Sequence, residues 1–182
     1  MLHIDIAENG LDDLVYSLSA TERQVDYSLK RSLKRTASSL RRKAGKALRT
    51  ELELRNSKAL KRRLKMLKLT KVGNRNEAGI WFGANDLAVS AFKGRARKTP
   101  EGATFKGHAF KGAFIGTKPN GKRTLYYRKG KKRYPIAECK FPVADQIQVF
   151  VEDNIFTDVE PIFRNHFERD LTARTTLQIG KA

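Results

Sequence analysis

The 182-residue chain contains one cysteine, Cys139. A single thiol excludes an intrachain disulfide and any paired-cysteine metal site, so the disulfide-stapled class of secreted domain does not apply. Long apolar runs are absent as well. No window approaches the roughly 18–20 continuous apolar residues of a membrane span. The opening stretch has no positive segment ahead of an apolar core, so no signal peptide is expected and the protein is expected to be made in the cytoplasm, with no membrane partner. Acidic residues are scarce: nineteen Asp and Glu stand against thirty-eight Lys and Arg, a formal charge of +19. Solubility alone does not call for such an excess in a small domain, and a polyanion or an acidic protein surface is the neighbour it suits.

Catalytic signatures are missing too. His3, His108 and His166 lie far apart and none has a metal or nucleophile partner at a suitable spacing, so they read as structural. Cys139 has neither a helix N-terminus signal nor a histidine partner, and reads as a buried thiol. No nucleophile elbow, phosphate-binding loop, zinc-protease or calcium-loop pattern occurs. The acid pairs Asp12-Asp13 and Glu152-Asp153 diverge on a helical turn rather than converge on an ion. The irregularly spaced glycines punctuate turns. An enzyme is not expected, and no cofactor or metal.

The length suits one hydrophobic core, so a single α+β domain over residues 1–182 is the expected architecture. Leu2 to Ile6 alternates as a half-buried strand, and Glu8-Asn9-Gly10 ends it. Ser19-Ala20-Thr21-Glu22 fits a capping box opening a long helix, whose apolar stripe runs Val25, Leu29, Leu33, Ala37, Leu40, Ala44 and Leu48. A break near Arg55-Asn56-Ser57, with Asn56 or Ser57 as the cap, leads into a second basic helix carrying Leu60, Leu64 and Leu67. This basic helical part covers about residues 19–70. A small, mostly antiparallel sheet follows over about 78–140: Ile80-Trp81-Phe82 is its first strand, and Leu87 to Phe92 is a partner strand or a short helix. Lys93 to Gly112, rich in Gly and Lys, predicts an exposed, mobile loop with at most a short strand at Ala103 to Phe105. Apolar residues at helical spacing from Ile147 to Phe167 predict a long C-terminal helix over about 143–173, packed on the sheet and bent or restarted before Pro161.

The charge is unevenly distributed. Thr21 to Thr70 holds 17 bases and 4 acids, and Lys93 to Arg133 holds 14 bases and one acid, so each segment is +13. Glu138 to Ala173 holds 8 acids and 3 bases, a net of −5. Candidate contacts to DNA backbone or to partners are therefore Arg41, Arg42 and Lys43, then Lys61, Arg62 and Arg63, then Arg95, Arg97 and Lys98, then Lys131, Lys132 and Arg133. Tyr126, Tyr127 and Tyr134 interleave with the last group, although strand alternation sends part of that set inward. Glu152, Asp153, Asp158 and Glu160 are candidate subunit-interface acids. A basic surface meeting a neighbour's acidic one gives a head-to-tail contact, and pairing within one chain accounts for the same pattern equally well.

Gly112 to Pro142 is the most organised stretch. Ala113-Phe114-Ile115, the turn Pro119-Asn120-Gly121 and the return Leu125-Tyr126-Tyr127 form a hairpin. A basic turn then leads to Tyr134-Pro135-Ile136, where Pro135 marks a sheet edge or strand end. This segment resembles the phage minor tail protein Z family in its GAFI strand (Gly112 to Ile115), its return strand Leu125 to Arg128, its R-x-GKxRYPI turn through Gly130 to Ile136, and its exit Lys140 to Val143. The similarity continues more weakly backwards through the basic helical half and the Asn85-Asp86-Leu87 turn. The acidic C-terminal helix departs from the family pattern. The resemblance implies a structural tail-completion protein at the head-proximal end of a long-tailed phage, in a homo-oligomeric, hexameric ring through which DNA passes. Its neighbours would be the tail terminator, the tail tube or tape measure, and the head-tail connector, and its place the virion tail. The alternative is a free-standing, sequence-nonspecific nucleic-acid-binding protein.

Overall fold

A computed structural model describes residues 2–3, 11–72 and 75–181. In chain order the elements are β1 (Leu2–His3), α1 (Asp12–Ser17), α2 (Glu22–Glu51), α3 (Lys58–Lys61), β2 (Leu64–Met66), β3 (Thr70–Val72), β4 (Arg75–Glu77), β5 (Gly79–Phe82), β6 (Leu87–Ala88), β7 (Arg97–Thr99), β8 (Gly102–Phe105), β9 (His108–Lys111), β10 (Phe114–Thr117), β11 (Arg123–Arg128), β12 (Ile136–Glu138), β13 (Lys140–Phe141), α4 (Ala144–Asn154) and α5 (Val159–Thr176). Short 3-10 turns occupy Val89–Ala91 and Phe156–Asp158. Helices flank small antiparallel sheets, so the class is α+β as the patterning predicts. The chain divides into two compact units, Met1–Gly45 with Arg62–Gly83 and Phe150–Ala182, and Lys46–Lys61 with Ala84–Val149.

In the first unit, α2 begins two residues later than the sequence suggests. Thr21 and Gln24 form the capping box instead of Ser19 and Glu22: the Thr21 N–H donates to Gln24 Oε1 at 3.0 Å and the Gln24 N–H to Thr21 Oγ1 at 3.4 Å. Ser19 sits in the turn between α1 and α2 at φ 48°, which rules it out as a cap in extended conformation. The buried face of α2 is also turned from the expected stripe. Leu33, Ala37, Leu40 and Ala44 are buried, but Val25 and Leu29 are only half-buried, while Gln24, Ser28, Ser32 and Thr36 are inside. Spacing of four along Gln24, Ser28, Ser32 and Thr36 keeps them on one face of α2. Gln24 uses its burial, donating Nε2 to the carbonyls of Arg174 and Ile179 at 3.3 and 3.2 Å.

Helix α5 runs antiparallel along α2 in this unit: Gln24 meets Arg174, Arg31 meets Asp170, Ser39 meets His166 and Lys43 meets Asp158. Its inner face is Phe163, Phe167 and Leu171, with the two rings stacked at 5.8 Å and 12°. Each such side chain contributes roughly 1.5–3 kcal/mol by leaving water. Pro161 sits in the first turn of α5, where its missing N–H costs no intrahelical bond. The predicted restart before Pro161 is thus present, with α4, a 3-10 turn and α5 in place of one helix.

The second basic helix does not extend as the sequence predicts. Helix α3 stops at Lys61 and residues 64–66 form β2, paired antiparallel with β5 through Leu64 with Phe82 and Met66 with Ile80. The four-residue step from Leu60 to Leu64 suits a helix, but long-range pairing wins: β5 takes the backbone, Arg41 Nε donates to the Leu64 carbonyl at 2.8 Å, and Leu64 Cδ1 lies 3.4 Å from where a Cβ on Gly45 would stand. The cap is where it was expected, since Asn56 Oδ1 accepts from the Lys58 N–H at 3.0 Å, although α2 ends earlier, at Glu51. Strand β5 sits between β1 and β2. The first strand spans only Leu2–His3, and the remainder of the predicted Leu2 to Ile6 strand lies outside the described residues.

In the second unit, Lys93 to Gly112 is not the open loop that its Gly and Lys content predicts. It forms the meander β7-β8-β9. Ala103 and Phe105 point inward, and Phe105 joins Phe92 and Phe141 in an edge-to-face cluster with centroids 5.2 to 6.1 Å apart. Gly102, at φ 151°, lets the backbone close: an added Cβ would stand 2.3 Å from the Phe110 carbonyl oxygen. The hairpin β10-β11 forms as predicted, with the Gly121 N–H closing onto the Lys118 carbonyl at 2.9 Å and Gly121 at φ 76°. Residues 87–91 supply both the strand and the short helix that the sequence left open.

A half-buried polar knot fastens this hairpin. Glu138 accepts from the Ser90 N–H at 3.0 Å and from the Thr124 hydroxyl at 2.6 Å through Oε1, and pairs with Lys118 Nζ at 2.5 Å through Oε2. Lys118 Nζ also donates to Ser90 Oγ at 2.8 Å. Burial alone would raise the carboxyl, but the hydrogen bonds from Lys118, Ser90 and Thr124 outweigh it and hold Glu138 below its ordinary value of 4.5. Cys139, next in sequence, is buried, and burial followed by the Glu138 charge pushes its thiol up.

Candidate functional site

The consecutive bases Arg41, Arg42 and Lys43 do not act as one cluster, because successive helical residues point about 100° apart. Arg41 binds the Leu64 carbonyl, Lys43 pairs with Asp158, and Arg42 faces a cleft. Lys61 and Arg62 are exposed at the end of α3, while Arg63 is half-buried and its carbonyl accepts from the Gly83 N–H at 2.7 Å. Arg95 is exposed before β7, and Arg97 and Lys98 are exposed on it in adjacent positions. Lys131, Lys132 and Arg133 are exposed in the turn between β11 and β12.

That turn carries aromatic neighbours as well. Tyr134 is 65% exposed with the Arg133 guanidinium 5.9 Å from its ring centroid, and Arg128 lies 5.6 Å from the Phe114 ring. Tyr127 is 42% exposed, whereas Tyr126 is half-buried against Phe114 at 6.1 Å. The alternation argument therefore holds for Tyr126, and Tyr127 and Tyr134 remain on the surface with the basic residues.

Of the four acids, Glu152 and Asp153 are exposed on α4. Asp158 is engaged by Lys43 and Glu160 lies 3.9 Å from Arg164 within its own helix. Asp158 and Glu160 thus have intrachain counter-charges.

A more defined arrangement lies in the first unit, in a cleft that contains Arg42 alone of the candidate contacts. Arg31 and Arg35 join Arg42 on one face of α2, and His166, Arg169 and Asp170 face them from α5, around a cleft of about 470 Å³ floored in part by Ser38 and Ser39. Asp170 is only 6% exposed and gathers three guanidinium groups: Arg174 at 2.8 Å, Arg31 at 3.3 Å and Arg35 at 3.8 Å. His166 Nε2 stands 3.3 Å from Ser39 Oγ. Burial first, then the charges of Arg35, Arg169 and Arg42, hold the imidazole below its ordinary value of 6.5. The spacing of Arg31, Arg35 and Arg42 on one helical face is visible in sequence; that α5 faces it is not.

No cluster of three or more potential metal ligands occurs among the described residues, and none of their helices is long and apolar enough to cross a membrane. His108 is exposed, with its ring 4.8 Å from Phe110 and 5.9 Å from Phe141. No curated protein matches the chain, and no solved structure does. The family model for prophage minor tail protein Z matches residues 9–180, nearly the whole length, and the chain belongs to that family.

Proposed function

We propose that this minor tail protein completes the tail at its head-proximal end, as part of a homo-oligomeric ring through which DNA passes. The observation that carries the reading is the family match across residues 9–180, and the charge of +19 supports it. Membership of the minor tail protein Z family implies six-fold symmetry and the tail terminator, tail tube or tape measure, and head-tail connector as neighbours. The physical contribution of this chain is its exposed bases: the Lys131-Lys132-Arg133 turn and the Arg97-Lys98 strand face solvent, where they meet either DNA phosphates or acidic tail neighbours. Glu152 and Asp153 on α4 offer the complementary sign for a head-to-tail contact between copies, the kind that closes a ring. The protein is then a structural part of the virion tail, and its work is assembly rather than catalysis.

Light scattering of the purified chain at low and high salt, with and without duplex DNA, tests this. A discrete ring, or a monomer indifferent to DNA at physiological salt, supports the tail-assembly reading. A monomer that coats DNA at that salt, with steep salt dependence, overturns it in favour of a free-standing nonspecific nucleic-acid binder.

A further inference from the structure

We propose that the cleft walled by Arg31, Arg35, Arg42, Arg169 and His166 in the first unit is a binding site for a phosphate-type oxyanion. Four guanidinium groups line this concavity and one carboxylate, Asp170, belongs to it. That carboxylate is spent on Arg174, Arg31 and Arg35, which it fixes in place. Arg42 and Arg169 have no hydrogen-bond or ion-pair partner among the described residues, although both are close enough to His166 to disfavour its charge. Like charges gathered in a cleft repel one another unless an anion joins them. Ser38 and Ser39 add hydroxyl donors to the same surface.

The chemistry of the wall selects the anion. Every fixed cation in the lining is arginine, and none is lysine. Planar guanidinium forks chelate two oxygens of one phosphate, where an ammonium offers only a point charge. A cleft of about 470 Å³ admits a phosphate with part of the group that bears it. His166 adds a cation on demand. It faces Arg35, Arg42 and Ser39 from α2 and Arg169 and Asp170 from its own helix, and a bound dianion counters the burial and the arginine charges that disfavour its protonation. The site is independent of the basic turn at Lys131-Lys132-Arg133, which lies in the other unit, and the inference stands whether or not the protein forms a ring.

The test follows inorganic phosphate binding by calorimetry and the His166 ring by NMR across pH. Wild-type protein is expected to bind phosphate saturably and to show the His166 pKa rising on binding. Arg42→Gln with Arg169→Gln is expected to weaken binding by at least about tenfold, since two charge-assisted contacts are lost. Both side chains are exposed and outside the Asp170 cluster, so circular dichroism is expected to match wild type. Lys34→Gln with Lys46→Gln, exposed on α2 and outside the cleft lining, is the control and leaves phosphate binding unchanged. A short DNA duplex identifies the source: DNA affinity falling with phosphate affinity in the double variant means backbone phosphates occupy the cleft, and unchanged DNA affinity means a free phosphate or nucleotide does. No saturable binding, a His166 pKa that ignores phosphate, equal affinity in the double variant, or capture of an acidic peptide but not of phosphate overturns the proposal. Should the double variant fail to fold, the His166 titration in wild type decides alone.

Discussion

Replacing Glu138 by alanine removes the acceptor on which the second unit's hairpin is tied. The Ser90 N–H, the Thr124 hydroxyl and Lys118 Nζ all lose their carboxylate, and Thr124, at 1% exposure, has no solvent to turn to. Breaking a fully buried ion pair costs about 3–5 kcal/mol. Here the side chains of Lys118 and Glu138 are 27% and 17% exposed, so Lys118 recovers part of its hydration, and the expected loss is about 2–4 kcal/mol. For a chain of this size that is a fall in melting temperature of roughly 4–16 °C. Glu138→Gln keeps an oxygen for Ser90 and Thr124 and loses only the charge, so it falls between the two. The pH dependence has a definite sign. The folded-state pKa lies below the ordinary 4.5, so the stabilisation is complete above that value and is lost as acidification carries the pH down through the folded-state value. Thermal melts of wild type and Glu138→Gln between pH 3 and 7 are expected to converge at the acid end. An alanine variant within about 0.5 kcal/mol of wild type at pH 7 would refute the reasoning.

Gly102→Ala forces a Cβ against the Phe110 carbonyl at a φ that disfavours side chains, and denaturant melts are expected to show a loss of about 1–3 kcal/mol. Ser32→Ala has the opposite sign. Its buried hydroxyl has no partner among the described residues, and alanine is the better helix former, so the same melts are expected to show a gain of up to about 1 kcal/mol. Asp170→Asn removes the charge that gathers Arg31, Arg35 and Arg174; with two of those arginines half exposed the expected loss is about 1–3 kcal/mol, while Glu160→Gln in its exposed helical pair stays within about 0.5 kcal/mol.

What the sequence determined by itself is what short range determines. The β10-β11 hairpin is set by Pro119-Asn120-Gly121, whose backbone preferences close the turn without help, and the restart of the C-terminal helix by Pro161, whose ring suits only a first turn. The charge of +19 and its concentration in two segments are facts of composition, and the family motif runs along contiguous residues. The tertiary structure decided the rest wherever distant segments compete for the same backbone. Leu64 carries a helical spacing and becomes a strand because β5 supplies its partners, and Gly- and Lys-rich 97–111 becomes a three-stranded meander because Phe105 finds Phe92 and Phe141. The arginine cleft is the clearest case. Its two walls are joined by a contact spanning 127 residues between Ser39 and His166, and the periodicity of each helix specifies its own face without naming the face it meets.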